Sequence, residues 1–426
     1  MNLTQNRKLC QVTEETIVVG VDIASEVQYA RAFDWRGMEL NKVFHFENNC
    51  EGFAAFTGWI ERVCKQTGKT AVLVGAEPTG HYWFGLANYL KEKKIKLVLV
   101  NPFHVKRSKE LDDNHPSKTD AKDPKTIAKL VIEGRYVEPY IPEGVYAELR
   151  VATTCRQRIL KELNCVKNQI QRWLKIYFPE HRKVFGKFDA ASSLLILETA
   201  PLPEDILKLG VDGVNQIWRN AKLRAVGAKR AKSLHEAACN TIGCAGSQAV
   251  RMELMLLLED YKMKMKQYET IMTTVEELCN QIPEVAKLLE IKGVGLVTAA
   301  EFVSEVGNIR RFDSPKQIQK LAGLALTETS SGKHKGQAGI SRRGRRILRT
   351  ALFRAALSLA RSNKEFASLH RYYTTRTRNP LKKKQSIIAL SCKLIRVFYA
   401  ILTKGVAYDA VKLMGDIHRP LEQVAA

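Results

Sequence analysis

The fold is decided by the stretch Ser117-Lys118-Thr119-Asp120-Ala121-Lys122-Asp123-Pro124, which places two carboxylates three residues apart at the predicted start of a helix. Residues with this spacing share one helical face. Pro124 suits the first helical position, so Asp123 could also act as the helix cap. Asp123 therefore has a structural interpretation beside its chemical one.

Two further acids stand at the ends of apolar runs. Asp22 follows residues 17–21, and Glu77 follows residues 71–76. Both runs predict strands, and the two acids would lie side by side if these strands are neighbours. An unpaired Asp is costly to bury, so we expect a metal or a charged partner for Asp22. A solvated turn is the alternative environment for Glu77.

The four acids together predict a site for divalent metal. Mg²⁺ prefers oxygen ligands. Two such ions about 4 Å apart can hold the attacking and leaving oxygens of a phosphoryl transfer on DNA. We therefore predict an Mg²⁺ site formed by Asp22, Glu77, Asp120 and Asp123.

The residues around these acids predict an α/β domain of the ribonuclease H type at residues 17–142, after a loose arm at residues 1–16. Its central strands should be buried on both faces. Predicted strands cover residues 17–22, 28–35, 43–46, 71–76 and 95–100, and predicted helices cover residues 51–66 and 81–93.

The middle of the chain predicts a helical arm at residues 143–284. Two long amphipathic helices, at residues 143–179 and 247–281, bracket a shorter helical region that prolines interrupt. The second helix has apolar residues close to heptad spacing. An antiparallel hairpin within one chain and a dimerising coiled coil both fit this pattern.

Residues 285–426 predict a helical C-terminal domain. Its residues 291–300 are typical of a helix-hairpin-helix turn, in which Lys292, Gly293 and Gly295 would bring backbone amides to a phosphate. A plain glycine turn between packed helices is the alternative. Two helices are predicted to close the chain, at residues 347–362 and 384–403, joined by residues 372–384.

The chain is strongly basic, with 68 Lys and Arg against 44 Asp and Glu and a formal charge of +24. Such an excess indicates a polyanionic partner, and nucleic acid is the obvious one. Solvated surface lysines are the alternative. The predicted phosphate-binding side chains are Lys118, Arg342, Arg343, Arg345, Arg346, Arg349, Arg376, Arg378, Lys382, Lys383 and Lys384, with Tyr372 and Tyr373 as stacking faces.

The nine cysteines form no CxxC pair, which excludes a zinc ribbon, and their odd number argues against a disulfide framework. No uninterrupted apolar segment reaches the roughly 20 residues of a membrane helix, and the N-terminus does not have the character of a signal peptide. We expect a soluble cytoplasmic protein with reduced thiols and no membrane partner.

The motifs together resemble the DEDD transposase family of bacterial insertion sequences, the group numbered one hundred and ten, which includes the Piv and MooV invertases. The motifs that carry the resemblance are Val19-Gly20-Val21-Asp22, Glu77-Pro78-Thr79-Gly80, Val100-Asn101-Pro102, Lys118-Thr119-Asp120-Ala121-Lys122-Asp123, Ile291-Lys292-Gly293-Val294-Gly295, Phe312, Leu321-Ala322-Gly323-Leu324, Ser331-Gly332 and Ile340-Ser341-Arg342-Arg343-Gly344.

The resemblance implies a RuvC-like N-terminal domain and a C-terminal transposase domain. Asp22, Glu77, Asp120 and Asp123 match the family's metal-binding acids, and Ser331 matches its nucleophilic serine, which forms a covalent phosphoserine with DNA. It also implies a structured noncoding guide RNA that pairs with donor and target DNA. Dimers, with a tetramer in the synaptic complex, and a nucleoid-associated location in a bacterial cytoplasm are expected.

Two other functions remain open at this point. A metal-only nuclease of the junction-resolvase kind would use water as its nucleophile, and Ser331 would be incidental. A noncatalytic nucleic-acid-binding protein is the third candidate. A purely basic binding surface would gain nothing from clustered acids, which argues against it. Ser330 and Ser341 are rival nucleophiles to Ser331, and His334 is close enough in sequence to assist.

Overall fold

The computed structural model of the protein describes residues 3–112, 123–224, 226–327, 330–331, 334–335, 339–415 and 417. Two compact units are resolved, Met1–Ile141 and Pro142–Ala426. We call them the N-terminal unit and the C-terminal unit and describe each by itself.

The N-terminal unit contains a mixed six-stranded sheet in the order β3-β2-β1-β4-β5-β6. Strands β1, β4 and β5 are parallel, and the others pair antiparallel. The strands are β1 Thr16–Asp22, β2 Val27–Phe33, β3 Phe44–Glu47, β4 Ala71–Ala76, β5 Lys96–Val100 and β6 Tyr136–Val137, and the helices are α1 Leu3–Leu9, α2 Cys50–Thr67, α3 Trp83–Glu92, α4 Pro102–Asp112 and α5 Asp123–Ile132.

Strand β1 is buried on both faces, as its apolar run predicts. Val19 and Val21 belong to the core formed with α2 and α3. Val18 belongs to the core formed with α5 on the opposite face. This alternation follows from the period of two along a strand, and it gives a mixed α/β domain that is compatible with the predicted nuclease-like fold.

The N-terminal arm differs from the sequence prediction. Residues 1–16 contain helix α1, which contacts the edge of the sheet instead of forming a loose tail. The hydroxyl of Tyr136 donates to the carbonyl of Lys8 at 3.2 Å, and Gln5 donates to the carbonyl of Glu133 at 3.3 Å. These are long-range contacts, which no local pattern in the sequence announces.

The C-terminal unit begins with two long helices, α6 Val145–Tyr177 and α11 Gln248–Asn280. They run antiparallel, because Glu162 pairs with Lys264 at 2.7 Å and the Trp173 indole donates to the carbonyl of Val250 at 3.0 Å. The predicted helical hairpin within one chain is therefore present. Coiled-coil dimerisation stays a prediction. The insert between them contains α7 His181–Phe185, α8 Ala191–Thr199, α9 Pro203–Asn220 and α10 Ala228–Cys239, packed around Trp218.

The remainder of the C-terminal unit is helical with short ladders. Its elements are α12 Pro283–Leu289, α13 Leu296–Val306, a 3-10 turn at Ile309–Arg311, α14 Pro315–Leu321, β7 Leu326–Thr327 paired with β10 Gly339–Ile340, β8 Ser330–Ser331 paired with β9 His334–Lys335, α15 Arg346–Ser362, α16 Lys364–Thr375, α17 Lys383–Lys404 and α18 Ala410–Met414.

Helix α16 corrects the predicted joining segment, because Tyr372 and Tyr373 are helical and not in a loop. Asn363 starts the helix: its side-chain oxygen accepts from the amides of Glu365 and Phe366, both at 3.1 Å. This is the usual role of Asn at a helix N-cap.

Helix α17 is the one helix, within the part of the chain that the structure describes, that is long and apolar enough to cross a membrane by length and composition. Half of its most apolar window is buried inside the protein. Leu390, Leu394 and Phe398 are completely buried in the C-terminal core. This burial identifies α17 as a core helix.

His181 makes the stability of the insert dependent on pH. Burial lowers the pKa of His181 to about 4, and its Nε2 lies 3.0 Å from the hydroxyl of Ser193. The pKa of His181 is near 6.5 in the unfolded chain and about 4 in the folded protein. Between these two pH values only the unfolded chain takes up the proton, so the free energy of unfolding falls as the pH drops toward 4. Between about pH 7 and about pH 5 the loss should be about 2 kcal/mol.

Urea unfolding followed by tryptophan fluorescence at both pH values checks this expectation. The His181→Gln variant should lose about 2 kcal/mol less than the wild type on acidification, because it has no group to protonate. Equal losses in the two proteins would contradict the assignment.

Candidate active site and nucleic-acid interface

Asp22 and Glu77 lie side by side where parallel strands end. Val21 of β1 pairs in register with Ala76 of β4, so the next residues along the two strands are Asp22 and Glu77. Neighbouring strands are about 4.8 Å apart. We call the edge where β1, β4 and β5 end the carboxyl edge of the sheet.

Helix α5 crosses this pair of strands at two glycines. Gly20 and Gly75 are register partners. A Cβ on Gly20 would lie 1.9 Å from the carbonyl oxygen of Pro124, and one on Gly75 would lie 2.4 Å from a methyl of Val131. The start of α5, and with it Asp123, is therefore held close to the sheet.

The positions of Gly20 and Gly75 show on which face of the sheet Asp22 and Glu77 lie. Side chains two residues apart on a strand project to the same face. Asp22 is two residues after Gly20, and Glu77 is two residues after Gly75, so both acids face the side covered by α5.

Glu77, Asp123 and Lys109 are close enough to interact electrostatically. Lys109 of α4 forms an ion pair with Asp123. Burial raises the pKa of Glu77, the positive charge of Lys109 opposes the increase, and the negative charge of Asp123 adds to it. We call Asp22, Glu77 and Asp123 the acid cluster.

Glu77 therefore lies near Asp123, and Asp22 lies next to Glu77 on the neighbouring strand, while Asp120 and Lys118 lie outside the described residues. Among the residues that are described, no group of three His, Cys, Asp or Glu side chains is close enough to share one metal ion.

Lys109 was missed by the sequence reasoning. Lys109 lies on helix α4, one turn after the buried Val105. Asn101 starts this helix, because its side chain accepts from the amide of Phe103 at 2.9 Å. The pair Asn101-Pro102, a capping residue followed by a residue suited to the first helical position, is the pattern that would have predicted this helix.

Ser331 belongs to the C-terminal unit, between α14 and α15. Its backbone forms β8, in register with His334 of β9. The segment is thus partly a small antiparallel ladder, and it places the predicted nucleophile and its predicted assistant opposite each other on paired strands.

Several residues of the predicted basic surface also make contacts that hold the fold together. Arg345 contacts the buried Glu305 at 3.5 Å, and Arg349 donates to the carbonyl of Ala322 at 3.0 Å, so both hold the fold together. Arg376 donates to the carbonyl of Asn379 at 2.9 Å. The exposed members are Arg342, Arg343, Arg346, Arg378, Lys382, Lys383 and Lys384.

The exposed lysines at the start of α17 lie where positive charge is unfavourable. Lys382, Lys383 and Lys384 surround the first position of α17. A helix N-terminus carries partial positive charge, so cations there are unfavourable. A bound phosphate would relieve this repulsion, which favours a polyanion as partner.

The predicted helix-hairpin-helix turn lies between α12 and α13. Gly293 has φ +99°, and a Cβ on it would lie 2.7 Å from the hydroxyl of Ser362. The carbonyl of Lys292 accepts from Asn363 at 3.0 Å. Close packing therefore explains Gly293, while Gly295, Thr298 and Arg354 line an adjacent groove of about 600 Å³.

Residues 19–179 match a family profile described as transposase, and residues 285–371 match one described as transposase of the IS116/IS110/IS902 family. A candidate transposase of Sinorhizobium fredii is 36% identical over 134 residues, which cover 31% of this chain and 33% of that protein.

Two relatives match over much more of their length. The 43.6 kDa protein of insertion element IS110 from Streptomyces coelicolor is 25% identical over 300 residues, 69% of this chain and 73% of that protein. The pilin gene-inverting protein of Moraxella lacunata is 22% identical over 398 residues, 92% of this chain and 97% of that protein.

These matches make the chain an enzyme of DNA transposition and recombination. It belongs to the IS110/IS116/IS902 family of DEDD transposases.

Proposed function

We propose that this transposase cuts and rejoins DNA through a covalent bond between Ser331 and phosphate, with Asp22, Glu77, Asp120 and Asp123 holding divalent metal. The observation that carries the proposal is the meeting of Glu77, Asp123 and Lys109 beside Asp22 at the carboxyl edge. A carboxylate with a raised pKa, such as Glu77, is more often found at a functional site than elsewhere.

The acids fit Mg²⁺, because they are carboxylate oxygens supplied by separate elements of the fold. When bound, Mg²⁺ would neutralise charge on the phosphate that is cleaved. Lys109 supplies a positive charge to the same acids.

The chemistry of the chain itself is that of an alcohol attacking a phosphodiester. The Oγ of Ser331 would bond to phosphorus while the departing strand oxygen takes up a proton. A hydroxyl of another strand would then displace Ser331 and rejoin the DNA. A serine hydroxyl needs activation to react in this way.

The acids and Ser331 belong to different units of the chain. We propose that the protein acts as a dimer, or as a tetramer in the synaptic complex. Donor and target DNA are the substrates, and a structured guide RNA supplies sequence choice by base pairing, while the exposed basic residues contact the phosphates.

A metal-only nuclease of the junction-resolvase kind is the second candidate. It is favoured by the acid cluster itself, which is assembled within the N-terminal unit without Ser331. In that mechanism water attacks the phosphate, and no bond joins protein to DNA.

A denaturing gel separates the two candidates. Protein is incubated with labelled junction DNA, Mg²⁺ and the noncoding RNA that flanks its element, and wild type is compared with Ser331→Ala. Ser330→Ala is the matched control. A shifted covalent band that only Ser331→Ala abolishes supports the serine mechanism, whereas free cleaved DNA from all three proteins supports the nuclease.

Lys109 gives a second prediction, about metal affinity. Removing its charge in Lys109→Met should make Mg²⁺ bind about three- to tenfold more tightly, because a cation no longer competes for Asp123. Titration calorimetry without DNA measures this. Lys96→Met is the control, since Lys96 pairs with Glu138 at 2.6 Å outside the acid cluster. Unchanged or weaker binding in Lys109→Met would count against the site.

A further inference from the structure

A cavity of about 480 Å³ opens in the C-terminal unit between the second half of α6 and the segment that follows this helix. We call it the arm cavity. Its charged lining side chains are Lys167, Lys175, Arg182, Lys187 and Asp189. Cavities of this size are typical of binding sites for small molecules, and one nucleotide is a molecule of that size.

The local structure explains why these side chains converge. Lys167 and Lys175 stand two turns apart along the same side of α6. Gly186, with φ +70°, ends α7 and turns the chain back toward α6. Asp189 thereby reaches Lys167 and pairs with it at 3.1 Å. The same turn brings Lys187 to the cavity.

The inner wall of the arm cavity is apolar and belongs to the core. Leu174 and Phe188 line it, and both are buried in the core that α6 forms with α11. The ring of Phe188 packs edge-on against Tyr261 of α11, with 5.6 Å between the ring centroids. Because core side chains are closely packed, we expect the cavity to be preformed.

The charges that line the cavity are unbalanced. Four cationic side chains face a single carboxylate, Asp189, which is already paired with Lys167. Within the part of the chain that the structure describes, no carboxylate pairs with the other three cations, which are Lys175, Arg182 and Lys187. Like charges gathered in this way repel one another, and a bound anion would relieve the repulsion.

Ordinary structural roles account for only part of this charge. Lys175 lies in the last turn of α6, where a cation is favourable next to the helix dipole. Arg182 belongs to a helix of only five residues, and Lys187 lies outside any helix. His181 also lines the cavity but adds no charge at pH 7, because burial lowers its pKa to about 4.

A nucleic-acid strand fits both the charged and the apolar parts of the cavity. Lysine and arginine side chains are the usual ligands of phosphate oxygens. The apolar wall offers a surface to a sugar or a base, which an inorganic phosphate would leave uncovered. The bases of a duplex are stacked on both faces, so the nucleotide that enters must come from an unpaired strand.

We propose that the arm cavity binds one nucleotide of an unpaired nucleic-acid strand, with phosphate on Lys175, Arg182 and Lys187 and the sugar or base against Leu174 and Phe188. The inference goes beyond the proposed function, in which none of these residues takes part, and rests on it only for nucleic acid as the partner. DNA and RNA strands both present this chemistry, so both are tested.

The test measures the affinity of the full chain for short fluorescent DNA and RNA strands and for a duplex, by anisotropy in EDTA at several salt concentrations. One double variant, Arg182→Gln with Lys187→Gln, removes two proposed phosphate contacts. The matched control is Lys183→Gln with Lys229→Gln. Lys183 is next to Arg182, Lys229 lies on α10, and neither is among the lining residues of the cavity. Both double variants therefore remove two charges from the same arm.

The cavity variant should bind unpaired strands about tenfold more weakly than the wild type. Its plot of log affinity against log salt should be less steep by about 1.4, which is two contacts at about 0.7 each. The control variant should bind as the wild type does, and binding to the duplex should be unchanged in both variants. Thermal unfolding should also be unchanged, because the replaced side chains are exposed.

An equal loss in the two double variants would overturn the proposal, because net charge alone would then explain the effect. Unchanged affinity and salt dependence in the cavity variant, or an equal loss with the duplex, would overturn it as well. A loss confined to DNA or to RNA supports the proposal and identifies the strand. Cleavage is measured separately: normal cleavage by Ser331→Ala and Asp123→Asn would contradict the proposed function and leave the result for the cavity standing.

Discussion

Asp123→Asn is expected to lower the rate of strand cleavage about a thousandfold or more, with DNA binding retained. Asn keeps the shape of the side chain but loses the charge that pairs with Lys109 and would bind metal. Loss of transition-state stabilisation of about 4 kcal/mol corresponds to this factor. Single-turnover cleavage of labelled junction DNA in Mg²⁺ measures the rate.

Glu138→Gln is the matched control for this variant. Glu138 is also a carboxylate in the N-terminal unit paired with a lysine, Lys96, but it lies outside the acid cluster. Its cleavage rate should equal that of the wild type. Normal cleavage by Asp123→Asn, or an equal loss in both variants, would remove Asp123 from the proposed site.

Gly20→Ala is expected to destabilise the N-terminal unit by about 3 kcal/mol and to abolish cleavage. The added methyl would lie 1.9 Å from the carbonyl oxygen of Pro124 and 2.9 Å from the amide of Ala128, both backbone atoms. Helix α5 must therefore move away from β1, and overpacking of this kind is costly. Asp123 would move with the helix.

Gly58→Ala gives the matched glycine control, and thermal unfolding and cleavage are measured in both variants. Gly58 lies inside α2, where the nearest atom to an added Cβ is the flexible guanidinium of Arg62 at 3.7 Å. Ala favours a helix by about 0.5–1 kcal/mol over Gly, so this variant should be slightly more stable. Equal stability of Gly20→Ala and wild type would show that α5 is not held at Gly20.

Five of the six strands in the N-terminal sheet were predictable from the sequence, because local patterns determine them. The apolar runs before Asp22 and Glu77 give β1 and β4 within one residue of the predicted bounds. The two long helices were likewise predicted within two residues at each end, since their apolar stripes repeat over many turns.

Elements and contacts that depend on distant residues could not be predicted in this way. Helix α1 is stabilised by contacts to Tyr136 and Glu133 far along the chain. Arg345 and Arg349 look like phosphate ligands in a basic run, but their partners, Glu305 and Ala322, are brought near by folding. Lys109 was missed for the same reason, because its partner Asp123 lies on another helix.

The acid cluster shows how far sequence reasoning reaches at the site itself. Strand ends predicted that Asp22 and Glu77 would be neighbours if β1 and β4 were adjacent, and the register confirms that adjacency. The placement of Asp123 depended on Gly20 and Gly75, whose role is visible only once α5 is seen to cross them.

The most direct test of the central claim is mass spectrometry of protein trapped on junction DNA in Mg²⁺ and then digested with nuclease and trypsin. We predict that residues 321–333, released by cleavage after Lys320 and Lys333, carry a nucleotide through phosphate, and that fragmentation assigns it to Ser331. A nucleotide on another residue, or cleaved DNA with no modified peptide, would contradict the serine mechanism.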